Sequence, residues 1–131
     1  MFYKNGNKYE GEFKNDKKQG KGIFIWTDGD KYEGEFKNGL SEGKGIYYYN
    51  NGDKYDGNFQ KDKKDGKGVY YFACGDIYEG DFKEDKKEGR GIYYFINGDR
   101  EMGNYKNNKK VGKQVKLLAN GEVKFEVIKL V

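Results

Sequence analysis

The chain has no histidine and no proline, and only one cysteine, one tryptophan, one serine and one threonine among its 131 residues. Without an imidazole, and with Cys74, Ser41 and Thr27 each alone of their kind, a hydrolase-type set of nucleophile, base and orienting group has no parts. A single thiol also excludes an internal disulfide, and with it a disulfide-stapled secreted scaffold. Cys74 fills a turn slot held elsewhere by Asn or Asp, so it reads as an incidental surface thiol. No apolar run approaches the roughly 20 residues that a membrane-spanning helix needs. Residues 1–6 lack the features of a signal peptide, so a cytoplasmic protein is expected.

Charge of one sign is also scarce. Lys and Arg number 26 against 22 Asp and Glu, a net charge of +4, and the two signs are interleaved. Such a balance attracts anionic partners weakly, and the small basic excess disfavours nucleic acid as the partner. Only 34% of residues are hydrophobic and 37% are charged, which alone would lean toward disorder. Thirteen Tyr and nine Phe argue the other way. Apolar area held in large flat rings suits a thin sheet better than a thick core.

What the chain has in abundance is repetition. Gly6, Gly29, Gly52, Gly75, Gly98 and Gly121 recur every 23 residues without insertion or deletion, the mark of a repeat architecture. Behind each of the first four stands a ring, a carboxylate, a glycine, a polar residue and a second ring, as in Tyr32-Glu33-Gly34-Glu35-Phe36 and Tyr55-Asp56-Gly57-Asn58-Phe59. Period two places the rings on one face of a strand and the carboxylates on the other. A polar stretch follows, then Gly-x-Gly and a β-branched or aromatic end such as Gly66-Lys67-Gly68-Val69-Tyr70-Tyr71-Phe72, which favours a second strand over a helix. Asp-Gly or Asn-Gly then turns the chain into the next copy.

An odd period fixes the parity of the connections: to keep the rings on one face, one connection per repeat must be even and the other odd. A six-residue loop at 14–19 would set Phe13 against Gly20, Gly11 against Gly22, Tyr9 against Phe24 and Glu12 against Lys21. A three-residue turn at 28–30 would set Trp26 against Tyr32. The glycines weaken a strand, so their recurrence points to room made for rings from flanking strands.

The expected organisation is one array over 1–131. Residues 1–5 form a partial repeat, in register with 47–51, and 6–28, 29–51, 52–74 and 75–97 are close copies. Residues 98–120 form a degenerate copy, in which Glu101 replaces the first ring and Gln114 the second glycine; 121–131 form a capping edge strand. The half-repeat at the start fits either a cap or a piece of a longer array.

Tyr-x-Gly-x-aromatic, Gly-x-Gly with an aromatic β end, and Asp/Asn-Gly at a 23-residue period resemble the MORN (membrane occupation and recognition nexus) repeat. Phe13, Phe36, Phe59 and Phe82 stand where the family usually has Trp. The resemblance implies an all-β fold, a single-layer, elongated, twisted antiparallel sheet of tandem β-hairpins. It also implies a scaffold or adaptor that binds other molecules and performs no chemistry, with cytoskeletal proteins or acidic phospholipid among the family's partners and a peripheral location at a membrane or the cytoskeleton.

Stacked copies turn each position into a column. The aromatic columns nominate Tyr32, Phe36, Tyr47, Tyr55, Phe59, Tyr70, Tyr78, Phe82 and Tyr93, either as the sheet's own core or as a groove for a partner peptide or helix. The alternative, a lipid-binding face, would use Lys63, Lys64, Lys67, Lys86, Lys87 and Arg90, at roughly 1 kcal/mol per well-placed lysine, against the bland reading of a solvated, neutralised face. No cofactor is expected. Aspartates stack at Asp30, Asp53, Asp76 and Asp99, but turn chemistry accounts for Asp-Gly and no metal site is expected. Open sheet edges would permit pairing between copies.

Overall fold

The computed structural model describes residues 1–129. Eleven antiparallel strands follow one another in a single sheet, in sequence order and without a crossover. They are β1 (Lys8–Lys14), β2 (Lys17–Ile25), β3 (Lys31–Lys37), β4 (Leu40–Tyr48), β5 (Lys54–Gln60), β6 (Lys63–Tyr71), β7 (Ile77–Lys83), β8 (Lys86–Tyr94), β9 (Arg100–Lys106), β10 (Lys109–Leu117) and β11 (Val123–Ile128). The all-β, single-layer hairpin array expected from the repeat is therefore the observed fold. The terminal edge strand is β11, and residues 130 and 131 of the expected cap lie outside the described residues.

The connections differ from the expected ones. No six-residue loop joins β1 to β2: both strands run on to a two-residue turn at Asn15 and Asp16, and Phe13 faces Lys18 instead of Gly20. Both turn residues have positive φ, as do Lys61 and Asp62, Glu84 and Asp85, and Asn107 and Asn108 in later copies. That is the mirror-image turn whose twist matches a hairpin. It was hidden because most copies lack the Asn-Gly spelling. The two-residue difference in register is absorbed by a bulge in the second strand, where Gly20 at φ +78° lets residues 19–21 oppose Glu12 alone, and the expected parity holds, with one connection of two residues and one of five. Gly11 against Gly22 and Tyr9 against Phe24 are found as expected. The Glu12–Lys21 pairing is made differently: the carboxylate accepts the Lys21 backbone N–H at 2.6 Å.

The second connection spans five residues, with Ile25 opposite Lys31 and Phe24, not Trp26, opposite Tyr32. Within it Trp26 N–H donates to Asp30 O, and Gly29 N–H, at φ +100°, donates to Trp26 O. Both kinds of turn are stitched to a neighbouring hairpin. Lys61 N–H donates to Glu42 Oε2 and Asn107 N–H to Glu88 Oε2. Asp53 accepts Tyr70 O–H on Oδ2 at 2.7 Å and Ala73 N–H on Oδ1 at 2.8 Å, a pattern that Asp30 and Asp76 repeat. The stacked aspartates Asp30, Asp53 and Asp76 thus spend their oxygens as staples between neighbouring hairpins.

The core is one residue deep. Tyr9, Tyr32, Tyr55 and Tyr78 are 0–1% exposed, each lying flat over a pair of facing glycines. For the pair Gly34 and Gly45 the ring is Tyr32, from the same strand as one glycine and the adjacent strand of the other, so the room is not made only for rings of flanking strands. The hydroxyl of Tyr32 donates to Glu35 O at 2.9 Å, which holds the ring along its own strand.

Candidate functional site

Rings fill one face of the sheet in two ladders. The inner ladder is a herringbone in which Tyr32 meets Phe36 and Phe59 edge-on at 5.0 Å each, and Tyr55 meets Phe59 and Phe82 at 5.1 Å, the geometry that ring quadrupoles favour. The outer ladder is unbroken from Tyr3 through Phe24, Trp26, Tyr47, Tyr49, Tyr70, Phe72 and Tyr93 to Phe95, with ring centroids 4.5–5.7 Å apart. Its rings from Tyr3 to Tyr93 are partly buried against the inner ones. The nine rings nominated from sequence divide accordingly. Tyr32, Phe36, Tyr55, Phe59, Tyr78 and Phe82 are buried core, with little surface for a partner, while Tyr47, Tyr70 and Tyr93 keep part of theirs.

The six nominated basic residues also divide. Lys64 and Lys87 belong to the aromatic face, because Lys64 lies opposite Phe59 and Lys87 opposite Phe82. The ammonium of Lys64 sits 5.2–5.7 Å from the centroids of Tyr49, Tyr55, Tyr70 and Phe82. Lys87 lies among Phe72, Tyr78, Tyr93 and Tyr105 at 4.7–5.8 Å, and Lys18 among Tyr3, Tyr9, Phe24 and Phe36 at 4.9–5.9 Å. Each is a four-ring box filled by the chain's own cation. Burial lowers the pKa of both Lys64 and Lys87. Lys63, Lys67, Lys86 and Arg90 are exposed, Lys67 and Arg90 on the opposite face. Alternation within the second strand already carries this split, since Lys64 and Lys87 stand an even number of residues before Tyr70 and Tyr93, and Lys67 and Arg90 an odd number.

The opposite face carries a groove floored by the glycine backbone. One stretch, about 960 Å³, runs from Lys44 to Val115, and a second, about 640 Å³, runs from Glu10 to Asp56; Lys44 and Asp56 line both. One wall pairs aliphatic with acidic residues across adjacent strands, Ile46 with Asp56 and Val69 with Glu79. The other pairs basic with polar or acidic residues, Lys44 with Asn58 and Lys67 with Asp81, the latter in an exposed ion pair at 3.5 Å. At a strand spacing of about 4.8 Å the ten strands β1 to β10 give a groove roughly 43 Å long.

The degenerate repeat replaces its parts in a matched way. Glu101 stands in the tyrosine column and forms an ion pair with Lys110 at 2.8 Å, while the Gln114 amide lies over Gly103 where a ring would lie. Gln114 Nε2 donates to Asn104 O at 3.0 Å, the counterpart of the bond from Tyr32 to Glu35 O. Burial is the chief cause that drives up the pKa of Tyr32, Tyr49, Tyr55, Tyr78 and Tyr105, Tyr49 and Tyr105 to about 12. Among the described residues no cluster of His, Cys, Asp and Glu is arranged to hold a metal ion, and no helix is long and apolar enough to cross a membrane. Cys74 is exposed.

A ladder of identical hairpins, with a continuous ring face and a continuous groove, is a repeat scaffold: its surfaces are periodic and its residues are spent on holding shape. The MORN repeat model matches residues 9–31, 32–54, 55–77, 78–100 and 102–122, and the chain belongs to the MORN-repeat family. Among solved structures it is similar to the TCP domain of SAS-4 (dCPAP) of Drosophila melanogaster, determined in complex with a proline-rich motif of Ana2 (dSTIL). That likeness has 17% identity and a TM-score of 0.47 over 97% of this chain and 81% of that one. No curated protein matches the chain significantly.

Proposed function

We propose that the chain is a non-enzymatic protein-binding scaffold that holds an extended or helical segment of a partner along the groove on its glycine face. The observation that carries this reading is the continuity of the groove, which shares Lys44 and Asp56 between its two stretches and keeps a wall of aliphatic and acidic residues opposite one of basic and polar residues. Backbone exposed at the floor, apolar side chains and both signs of charge suit a polypeptide, which brings all three. An acidic bilayer asks instead for a plane of like charge. The lysines nominated for that role are divided between the faces, and two of them are caged, which supports the polypeptide reading over the lipid one. The half-exposed Tyr47, Tyr70 and Tyr93 remain candidates for a second contact on the ring face.

The test is a selection of peptides from a random library on the intact chain, followed by titration of the selected peptides against Val69→Lys and Ile92→Lys. Loss of binding by tenfold or more, with an unchanged melting temperature, supports the groove. Undiminished binding overturns it. Flotation with vesicles of phosphatidylserine that depends on Lys63 and Lys86, with no peptides selected, would establish the lipid reading instead.

A further inference from the structure

Strand β11 ends the sheet, and it departs from the repeat in one direction. In the four close copies the column of Phe125 holds Glu10, Glu33, Asp56 and Glu79, and that of Val127 holds Glu12, Glu35, Asn58 and Asp81. Phe125 lies opposite Val115, which lines the groove, so alternation puts Val123, Phe125 and Val127 together on the groove face. They are 51%, 76% and 61% exposed, and the apolar row runs on through Val115 to Met102. Edge strands are ordinarily blunted by charge. Here charge gives way to apolar surface at the edge itself.

The backbone of the same three residues is turned outward. Glu122 O accepts the Leu118 N–H at 2.8 Å, so its main-chain groups point to β10. The register to β10 runs on without a bulge, and alternation therefore turns the backbone of Lys124 and Glu126 inward and that of Val123, Phe125 and Val127 to the open edge. The edge reads Val-Lys-Phe-Glu-Val, the same in both directions apart from the sign of its charges. Laid antiparallel on a second copy about Phe125, it sets Phe125 against Phe125, Val123 against Val127 and Lys124 against Glu126, and the three outward residues exchange both backbone bonds with their opposites. Within one chain Lys124 faces Lys116, a like-charge pair that the carboxylate of a second copy would offset. The other end of the sheet offers no such match. Tyr9 N–H donates to Met1 O and Tyr3 N–H to Asn7 O, each at 2.8 Å, so residues 1–3 cover part of β1, whose Glu10 is a groove-face carboxylate.

We propose that β11 is a homodimer interface, at which two copies of this chain pair their β11 strands antiparallel about Phe125 into one continuous sheet. The two-fold axis stands perpendicular to the sheet, so both groove faces lie on one side and the apolar row from Met102 to Phe125 runs across the axis into its copy. Such isologous pairing closes at two chains, whereas β11 laid on β1 of another copy would grow without end. Joined edges bury less than the roughly 1,600 Å² of a standard interface, so the dimer comes apart on dilution. The interface stands or falls independently of what the groove holds.

The test follows the mass of the intact chain by sedimentation equilibrium as its concentration is raised. The expected result is a rise from one chain to two and no further. Lys124→Glu and Glu126→Lys each set like charges against one another across the axis, and each should weaken the dimer by at least about tenfold. An equimolar mixture of the two variants brings opposite charges together at both places and should dimerise as the wild type does. That rescue requires the antiparallel register about Phe125. Should a variant fail to fold, amide exchange in the wild-type chain decides: the N–H groups of Val123, Phe125 and Val127 should exchange more slowly as concentration rises. A mass of one chain throughout, growth beyond two chains, folded single variants that dimerise like wild type, a mixture that stays monomeric, or edge amides indifferent to concentration would each overturn the proposal.

Discussion

Replacing Gly45 by alanine sets two effects of opposite sign against each other. Gly45 sits in β4 with ordinary extended backbone, not among the glycines of positive φ. On conformational grounds alone alanine should therefore stabilise the strand by about 0.5–1 kcal/mol. The Cβ it adds would lie 2.5 Å from Cε1 and Cζ of Tyr32 and closer still to the hydroxyl. That ring is 1% exposed and wedged between Phe36 and Phe59, so it cannot swing aside within its layer. Overpacking of this kind costs about 1–3 kcal/mol, and driving the ring out altogether approaches the roughly 3–5 kcal/mol of a large aromatic truncation. The clash wins, and a net loss of about 1–4 kcal/mol is expected. The decisive measurement is a double-mutant cycle with Tyr32→Ala in urea, followed by Trp26 fluorescence and circular dichroism. Once the ring is gone, Gly45→Ala should change sign and stabilise the Tyr32→Ala background by about 0.5–1 kcal/mol. Additive effects, or a Gly45→Ala variant within about 0.5 kcal/mol of wild type, would refute the argument that the glycine columns exist to seat the tyrosines.

Three further outcomes follow from the same geometry. Lys64→Met keeps the stem but removes the ammonium from among four rings, so it should cost about 1 kcal/mol in urea denaturation; a neutral result would mean the box is only packing. In the last repeat, Glu101→Tyr alone meets the Gln114 amide over Gly103 and should destabilise by about 1–3 kcal/mol. Glu101→Tyr with Gln114→Gly should recover that loss in a thermal melt. The third outcome concerns pH: Tyr49 and Tyr105 are raised to about 12 and other ladder tyrosines are raised as well, from an ordinary value of 10. A raised folded pKa gives stability that is complete below about pH 10. Above it the unfolded tyrosines lose protons that the folded ones keep, so the melting temperature should fall from pH 10 toward 12. Lys64 and Lys87, lowered by burial, act in the opposite sense but are outnumbered. Melting temperatures that stay flat from pH 9 to 11.5, or tyrosinate absorbance from all thirteen tyrosines appearing before unfolding, would count against buried rings as the core.

Much of this was legible in 131 letters because a repeat restates its own constraint. The period, the two-strand unit, the facing Gly11 and Gly22, and the aromatic face follow from alternation and spacing. The tight turn at Lys61 and Asp62 was not legible, since those residues carry no turn signature. They adopt positive φ because contacts from the preceding repeat, such as the bond from Lys61 N–H to Glu42, hold them there. The bulge was hidden for the same reason, although alternation along the second strand already places Lys64 and Lys87 with the rings. The sequence showed Glu101 and Gln114 as two separate losses, while only their meeting over Gly103 shows them to be one exchange.

By itself, then, the sequence determined what is periodic: one hairpin every 23 residues, rings to one side, glycines in facing columns. Tertiary structure decided what each column does. Burial depends on which neighbours close over a side chain, and those neighbours come from adjacent repeats. Hence identical-looking rings part into a buried herringbone and a partly buried ladder. Hence also three lysines become part of the core layer, while in the second repeat the buried Ser41 holds that place.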